Sequence, residues 1–434
     1  MDIFTFPREQ EITKEVVKDF IDKHQALVPK YKELKSMYEG DHDILHQKKK
    51  AGYKPDNRLV VNFAKYIVDT FNGYFIGIPV KVSHEKEEIQ KIVTEFRNRN
   101  GMDDNEAELS KICSIYGHGY EYLFQNEESK TDVIYNTPLD MFIVYDDTIA
   151  QKPLFGVRYY YDKDGNLHGE MHTEAYSYAL SGKNDEVILE DEKPHFYGSV
   201  PIVEYIENEE RQSAFENVIT LINGVNKALS EKANDVEYFS DAYIKILGAD
   251  LDEETLEALR DNRIINLSGD NSEKVVVEFL AKPNADTTQE NLINRLIDLI
   301  YQMAMVANIN DETFGNASGV SLEFKLQPMK NLALMKERKF KASMQKRYKM
   351  IFNLPTNVPQ SNRDEWMNLE YTFTRNIPRN MADEAETANK LAGITSTETA
   401  LSALSIVDDP KAEMEKIKEE GTYPMYDDNN VGGS

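Results

Sequence analysis

The sequence predicts an α+β fold on three observations. Apolar residues recur at helical spacing up to Tyr116, short aromatic and β-branched runs fill Tyr116 to Tyr205, and helical spacing returns from about Ser213 onward. Helices and strands gathered in separate blocks mark α+β rather than the strict alternation of α/β. The 434 residues suffice for two or three domains of about 150 residues each. A hydrophobic content of 41% against 29% charged residues supports sizeable cores and argues against global disorder.

Residues 10–38 read as helix on Ile12, Val16, Val17, Phe20, Ile21, Leu27 and Leu34, with a break expected at Pro29. The segment YEGDHDILHQKKKAGYKPDNR reads as a polar loop. NRLVVNFAKYIVDTFNGYFIGIPV (57–80) is strongly apolar and ends in Gly-x-Pro, which predicts a buried helix leading into a strand. Helices follow over 86–100 and from Asp103 to Ile115. The runs YGHGYEYLF, VIYNTPLDMFIVYDD, FGVRYYYDKDGNLHGEMHTEAYSYAL, EVILED and VPIVEYIEN read as antiparallel strands, with Asp164-Gly165 at a hairpin turn.

Residues 211–240 predict a long helix with Ser213 and Glu216 as its capping box and Val218, Ile219, Ile222, Val225, Leu229, Ala233 and Val236 on one stripe. A small α/β insertion follows: DAYIKILGA and RIINLSG flank the short helix DLDEETLEALRDN, and KVVVEFL adds a strand. Thr287 with Glu290 caps a second helix through NLINRLIDLIYQMAMV. Two capped helices therefore bracket a small module. The loop 307–319 leads to a third helix, SLEFKLQPMKNLALMKERKFKASMQKRYKMIF, which Pro328 should kink because it has no N–H to donate and its ring crowds the turn before it. EWMNLEYTFTRNIP reads as a strand. ADEAETANKLAG, TSTETALSAL and a helix begun at Asp409-Pro410 and stopped at Gly421 close the chain before a flexible tail.

The charge pattern excludes several functions. With 76 Asp+Glu against 50 Lys+Arg, the net charge is −26. Such a surface holds neither nucleic acid nor an anionic membrane by broad phosphate neutralisation. Residues 320–352 run the other way, with nine Lys+Arg and two Asp+Glu. That helix reads as packing beside acidic surfaces of its own or a neighbouring subunit, in preference to binding nucleic acid. The single cysteine, Cys113, excludes a disulfide framework and fits a reducing compartment. A charged N-terminus and the lack of a long apolar run predict a soluble intracellular protein with no membrane span.

No catalytic, metal or cofactor constellation is expected. His42 and His46 have a ligand-like spacing of four, but they fall in a polar loop with no third ligand. HGEMH (168–172) has its glutamate in the wrong place for a zinc-protease helix and reads as a solvated hairpin. DKDGNLHGE has glycine at its fourth rather than sixth position, so a turn explains it better than a calcium loop. GNASG lacks the Lys-Ser/Thr of a phosphate loop. Asp146 and Asp147, adjacent on a strand, point to opposite faces. Cys113 has no histidine placed to activate it.

On these segments taken in order, the chain resembles the portal proteins of tailed bacteriophages, the head-to-tail connectors through which the genome enters and leaves the capsid. The run NRLVVNFAKYIVDTFNGYFIGIPV with YGHGYEYLF, PLDMFIVYDD and PLFGVRYYY resembles the wing. GSVPIVEYIENEERQSAFENVITLINGVNKALSEKANDVEYF resembles the entry to the first stem helix, and FGNASGVSLEFK the tunnel loop running into the kinked wing helix. The resemblance implies an N-terminal wing (1–210), first stem helix (211–240), clip (241–286), second stem helix (287–306), tunnel loop (307–319), kinked wing helix and strand (320–376), and helical crown with tail (377–434). It implies a ring of twelve subunits at one capsid vertex of the virion, assembled in the host cytoplasm. Double-stranded DNA would pass through without sequence-specific binding. The implied partners are the terminase motor, the major capsid or scaffold protein, and a head-completion or tail adaptor protein.

Within that frame the polar side of the second stem helix, with Asn291, Asn294, Arg295, Asp298 and Gln302, faces the channel. The wide apolar stripe Leu292, Ile293, Leu296, Leu299, Ile300 and Met303 is covered by neighbours. Asn308, Asn310, Asp311, Glu312, Phe314 and Asn316 form the tunnel loop that meets DNA. The clip's Asp250, Asp252, Glu253, Glu254 and Glu257 form either a motor-docking face or an ordinary solvated helix face. Three other readings compete: a metal-dependent hydrolase using the His and Asp groups of the strand region, a non-viral helical scaffold or adaptor, and a head-completion ring protein. The last are usually much shorter and lack the helix–module–helix layout.

Overall fold

The computed structural model describes residues 3–50, 54–183, 186–240, 244–247, 276–279, 286–309, 319–377, 381–404, 406–407 and 409–419. Strand β1 (Thr5–Phe6) precedes helix α1 (Lys14–Glu39), whose N-terminus is capped by Thr13. The Pro29 break does not occur. Proline removes only one N–H from the ladder, and Val17, Phe20, Ile21, Tyr31 and Leu34 on either side of it are buried. The following loop holds a 3₁₀ turn, Asp43–His46. Then come α2 (Phe63–Ile76), β2 (Lys81–Ser83), α3 (Glu87–Arg99) and α4 (Met102–Tyr116).

Eight strands follow: β3 (His118–Gln125), β4 (Thr131–Asn136), β5 (Met141–Asp146), β6 (Pro153–Tyr161), β7 (Leu167–Thr173), β8 (Tyr176–Gly182), β9 (Ile188–Pro194) and β10 (Ile202–Ile206). Together with β1 they form a six-stranded sheet of order β1-β5-β6-β7-β8-β9 and a three-stranded sheet of order β10-β3-β4. Every pair is antiparallel except β1 with β5, which is parallel. Asp164-Gly165 turns the β6–β7 hairpin with Gly165 at φ 78°, where a side chain would be strained. Asp162 organises that turn by accepting from the Asp164 and Asn166 amides, the Asn166 side chain and His168. The calcium-like spacing is thus used up internally.

One face of the large sheet packs on α1 through Phe20, Ile21, Phe142, Phe155, Val157 and Leu180. Tyr120, Met141, Ile143, Val200 and Ile202 form a second core shared by the two sheets. Helix α5 (Ile219–Ser240) is preceded by a 3₁₀ turn at Glu216–Val218. Only half of the expected capping box forms, because Ser213 N–H donates to Glu216 while the Ser213 hydroxyl turns to the Ser114 carbonyl. β11 (Ile244–Leu247) and β12 (Val276–Phe279) pair antiparallel. Helix α6 (Asp286–Ala304) starts before Thr287, so that residue sits inside the first turn rather than at the cap.

Helix α7 (Gly319–Asn353) contains Pro328 and crosses α2, α4 and β10, with Phe340 against Phe75 and Tyr205. The predicted strand over 365–378 opens instead with a 3₁₀ turn, Glu365–Asn368. Only β13 (Glu370–Thr372) is extended, and it pairs with β2. Residues 1–375 form one compact unit and 376–434 a second, the latter with α8 (Met381–Leu391), α9 (Thr397–Leu401) and α10 (Pro410–Glu419).

Candidate functional site

Helices α5 and α6 and the chain leaving α6 are held by three devices. The first is a ladder. Asn226, Ser230 and Asn234 recur every four residues on α5 and are buried. Their side-chain oxygens accept the backbone N–H groups of Val61, Leu59 and Asn57 at 2.8, 2.9 and 2.6 Å. Four helical residues advance about 6 Å and two extended residues about 6.6 Å, so the two repeats stay in step over three rungs. An extended segment is thereby stapled antiparallel to the helix without a partner strand. His42, wholly buried, meets Asn226 Nδ2 at 3.0 Å, whereas His46 bonds Asp41. These two histidines serve separate local contacts.

The second device pairs α5 with α6. Lys232 forms an ion pair with Glu290, and Gln289 donates to Asp235 at 3.2 Å. Ile293 and Ile300 are buried, while Leu292 and Met303 are 53% and 46% exposed. The hydrophobic stripe of α6 is therefore wider than α5 can cover. On α5, Val236 is 66% exposed although it was expected on the buried stripe; the buried line toward that end of the helix is the polar one.

The third device fixes the exit of α6. Met305 takes a left-handed backbone (φ 56°), and Val306 N–H reaches back to the Tyr301 carbonyl, the six-to-one bond of a Schellman end. A non-glycine residue there costs about 1–2 kcal/mol. Tyr66 then clamps the emerging chain, donating its hydroxyl to the Ala307 carbonyl and accepting from Ile309 N–H, both at 3.1 Å. The Ala307 N–H points at Met329 Sδ, 3.2 Å away on α7.

Helix α7 resolves the charge segregation. Arg347 is fully buried and binds Glu106 at 2.5 Å and Glu121 at 2.9 Å. Lys336, also buried, meets Glu207 at 2.7 Å, the Ser114 hydroxyl at 2.8 Å and the Ser110 carbonyl at 3.0 Å. Lys339 pairs with Glu209. Burial pushes the Glu121 carboxyl upward despite Arg347. Glu204 goes the other way: burial opposes its charge, yet Arg211 and His118 hold it well below the usual carboxylate range. The basic helix thus spends charge on acidic partners of its own chain. The sequence showed its excess of cations but not which of them enter the core, because Lys336 and Arg347 look like any other Lys or Arg in the run.

The expected site residues fall as follows. Asn291, Asn294, Arg295, Asp298 and Gln302 are all exposed along α6. Asn308 lies at the clamped root. Asn310, Asp311, Glu312, Phe314 and Asn316 lie outside the described residues, as do Asp250, Asp252, Glu253, Glu254 and Glu257. Pro328 lies inside α7 and leaves the Phe324 carbonyl without its helical donor. HGEMH is strand β7, but its His172 is buried rather than solvated. Cys113 is fully buried with its thiol on the Tyr205 carbonyl, and burial pushes that thiol far up despite the nearby Lys336. Among the described residues, no group of three or more His, Cys, Asp or Glu could hold a metal ion, and no helix is long and apolar enough to cross a membrane.

An acidic α+β chain with a helix pair whose apolar stripe is left uncovered has the makings of an assembly subunit. Residues 17–423 match the family model described as phage portal protein, SPP1 Gp6-like, and the chain belongs to that family. It is 26% identical over 391 residues to the portal protein of Bacillus phage SPP1, covering 85% of this chain and 76% of the relative. To the portal protein of Clostridium phage phiCD119 it is 23% identical, covering 83% and 84%. Membership of a phage portal family leaves the non-viral adaptor reading without support.

Proposed function

We propose that the chain is the subunit of a portal ring at one capsid vertex, through which DNA is packaged and ejected. The observation that carries this is the uncovered stripe of α6. Leu292 and Met303 stand open on a helix that already has one partner in α5, and a neighbouring copy supplies the missing cover. In that arrangement α5 and α6 are the stem, β11 and β12 belong to the clip, and the unit 376–434 is the crown. Asn291, Asn294, Arg295, Asp298 and Gln302 face the lumen, where a polar wall with no excess of cations offers phosphates few fixed ion pairs and lets DNA slide. The capsid or scaffold protein, the head-completion or tail adaptor protein and a separate terminase motor dock on the ring. The clip residues Asp250, Asp252, Glu253, Glu254 and Glu257 receive the motor.

Residues 307–319, with Asp311, Glu312, Phe314 and Asn316, act as a steric gate on the DNA, rooted where Tyr66 and Met305 fix the chain. Pro328 bends α7 where it leaves that gate. The deciding experiment is native mass with imaging of the same sample. A closed ring near twelve copies of the 49.9 kDa chain, with a central hole, is expected. A chain that stays monomeric with capsid and scaffold proteins present overturns the proposal. Replacing Asp311 and Glu312 by Lys would turn the gate into a phosphate clamp and should impair packaging or DNA retention; unchanged values of both would show that the loop does not meet the DNA.

A further inference from the structure

Not every cation of helix α7 finds an acidic partner. Arg338, Lys341, Lys346 and Lys349 fall on one side of the helix and are exposed. Among the described residues none of them makes an ion pair, in a chain whose net charge is −26. Lys341 and Lys349 lie 5.8 and 5.7 Å from the ring centres of Tyr371 and Trp366, which position the ammonium groups without neutralising them. Beside Lys346 and Lys349 opens a groove of about 250 Å³, between α7, strand β5 and the segment 197–204. Its floor is apolar, with Ile143, Val200 and Ile202 of the shared core and Met350 of α7. Lys152, exposed and likewise without an ion pair, adds a cation from the turn before β6. Carboxylates line the groove too. Glu204 is taken up by Arg211, His118 and Tyr145, which leaves Glu174 as the open one.

Three cations against one open carboxylate, set around an apolar floor, require an occupant that is anionic and apolar at once. A nucleic acid backbone supplies the charge but buries nothing apolar, and the acidic remainder of the chain repels it. A protein segment with carboxylates on either side of an apolar side chain supplies both. We propose that the exposed side of α7 and this groove dock an acidic segment of a partner protein, with its apolar side chain in the groove. From Arg338 to Lys349 the helix advances about 16 Å, the length of about five extended residues. This contact goes beyond the ring contact of α6 and does not depend on it.

The test is fluorescence anisotropy on the full-length protein with a labelled Glu-Glu-Leu-Glu-Glu peptide as probe. Gln-Gln-Leu-Gln-Gln, Glu-Glu-Ser-Glu-Glu and a short DNA duplex, each with the same label, serve as comparators. Binding of the first peptide is expected, with either comparator peptide weaker by about tenfold. Lys346→Glu combined with Lys349→Glu should weaken the first peptide by about tenfold or more at an unchanged melting curve. Lys152→Glu, on a separate element, should act in the same direction by a smaller factor and keeps the test open if the paired variant fails to fold. Equal binding of the glutamine or the serine peptide would overturn the assignment, as would binding untouched by these substitutions. A duplex that binds as tightly and is lost in the same variants would give the face to nucleic acid instead. A fall in native mass caused by the paired variant would give it to a second copy of the chain.

Discussion

Arg347 and His24 show what single buried titratable groups do for this fold. Arg347 is the partner that keeps Glu121 ionised in the core; Glu106 has Arg97 as well, at 3.0 Å. Replacing Arg347 by Met should therefore strand Glu121 and cost about 3–5 kcal/mol in denaturant unfolding. Adding Glu121→Gln should restore much of the loss. The stranded carboxyl binds its proton more tightly folded than unfolded, so the variant's deficit should shrink as pH falls from 7 toward 5. His24 has the opposite sign. Burial lowers it to about 4, with Nε2 against the Pro138 carbonyl and Nδ1 against the Tyr159 hydroxyl. The folded state refuses a proton that the unfolded chain accepts near 6.5. Stability present above that value is therefore lost between about 6.5 and 4, by about 3 kcal/mol. Melting curves of His24→Gln across that window should be flatter than wild type by a similar amount; an unchanged slope would mean other groups carry the acid sensitivity.

At the scale of elements, the ladder between α5 and residues 57–61 governs how the helix pair is rooted. Each rung satisfies a backbone N–H that would otherwise lack a partner. Asn226→Ala, Ser230→Ala and Asn234→Ala should each cost about 1 kcal/mol. Hydrogen exchange at Val61, Leu59 and Asn57 respectively should speed up, while the amides of β5 and β6 stay protected. Uniform acceleration across the molecule would show that the rungs stabilise the fold at large rather than root the helix. Helix α7 is the other organising element. It spans both the charged core and the exit of α6, through Met329 beside Ala307 and Lys336 beside Glu207. A change at the loop root therefore acts on the same helix that holds the sheets.

For the whole molecule, the exposed side of α6 separates folding from assembly. Leu292→Glu adds a charge to a half-open apolar surface and leaves Ile293 and Ile300 buried. The subunit should keep its melting temperature while native mass shifts from rings to monomers. Intact rings from this variant would place the subunit contact elsewhere.

The sequence by itself determined the α+β class, most of the order of the described helices and strands, and the family resemblance. Those follow from periodicity and turn chemistry, which are local. Tertiary structure decided the rest. Whether Pro29 breaks a helix depends on the buried residues on either side of it. Asn226, Ser230 and Asn234 do recur every four residues, a signal the apolar stripe overshadowed, but only the fold places a donor-bearing extended segment against them. The same holds for Arg347 and Lys336, since burial of a charge is set by carboxylates more than 120 positions away in the chain. Local chemistry fixes which element forms, and long-range packing fixes which side chain it must satisfy.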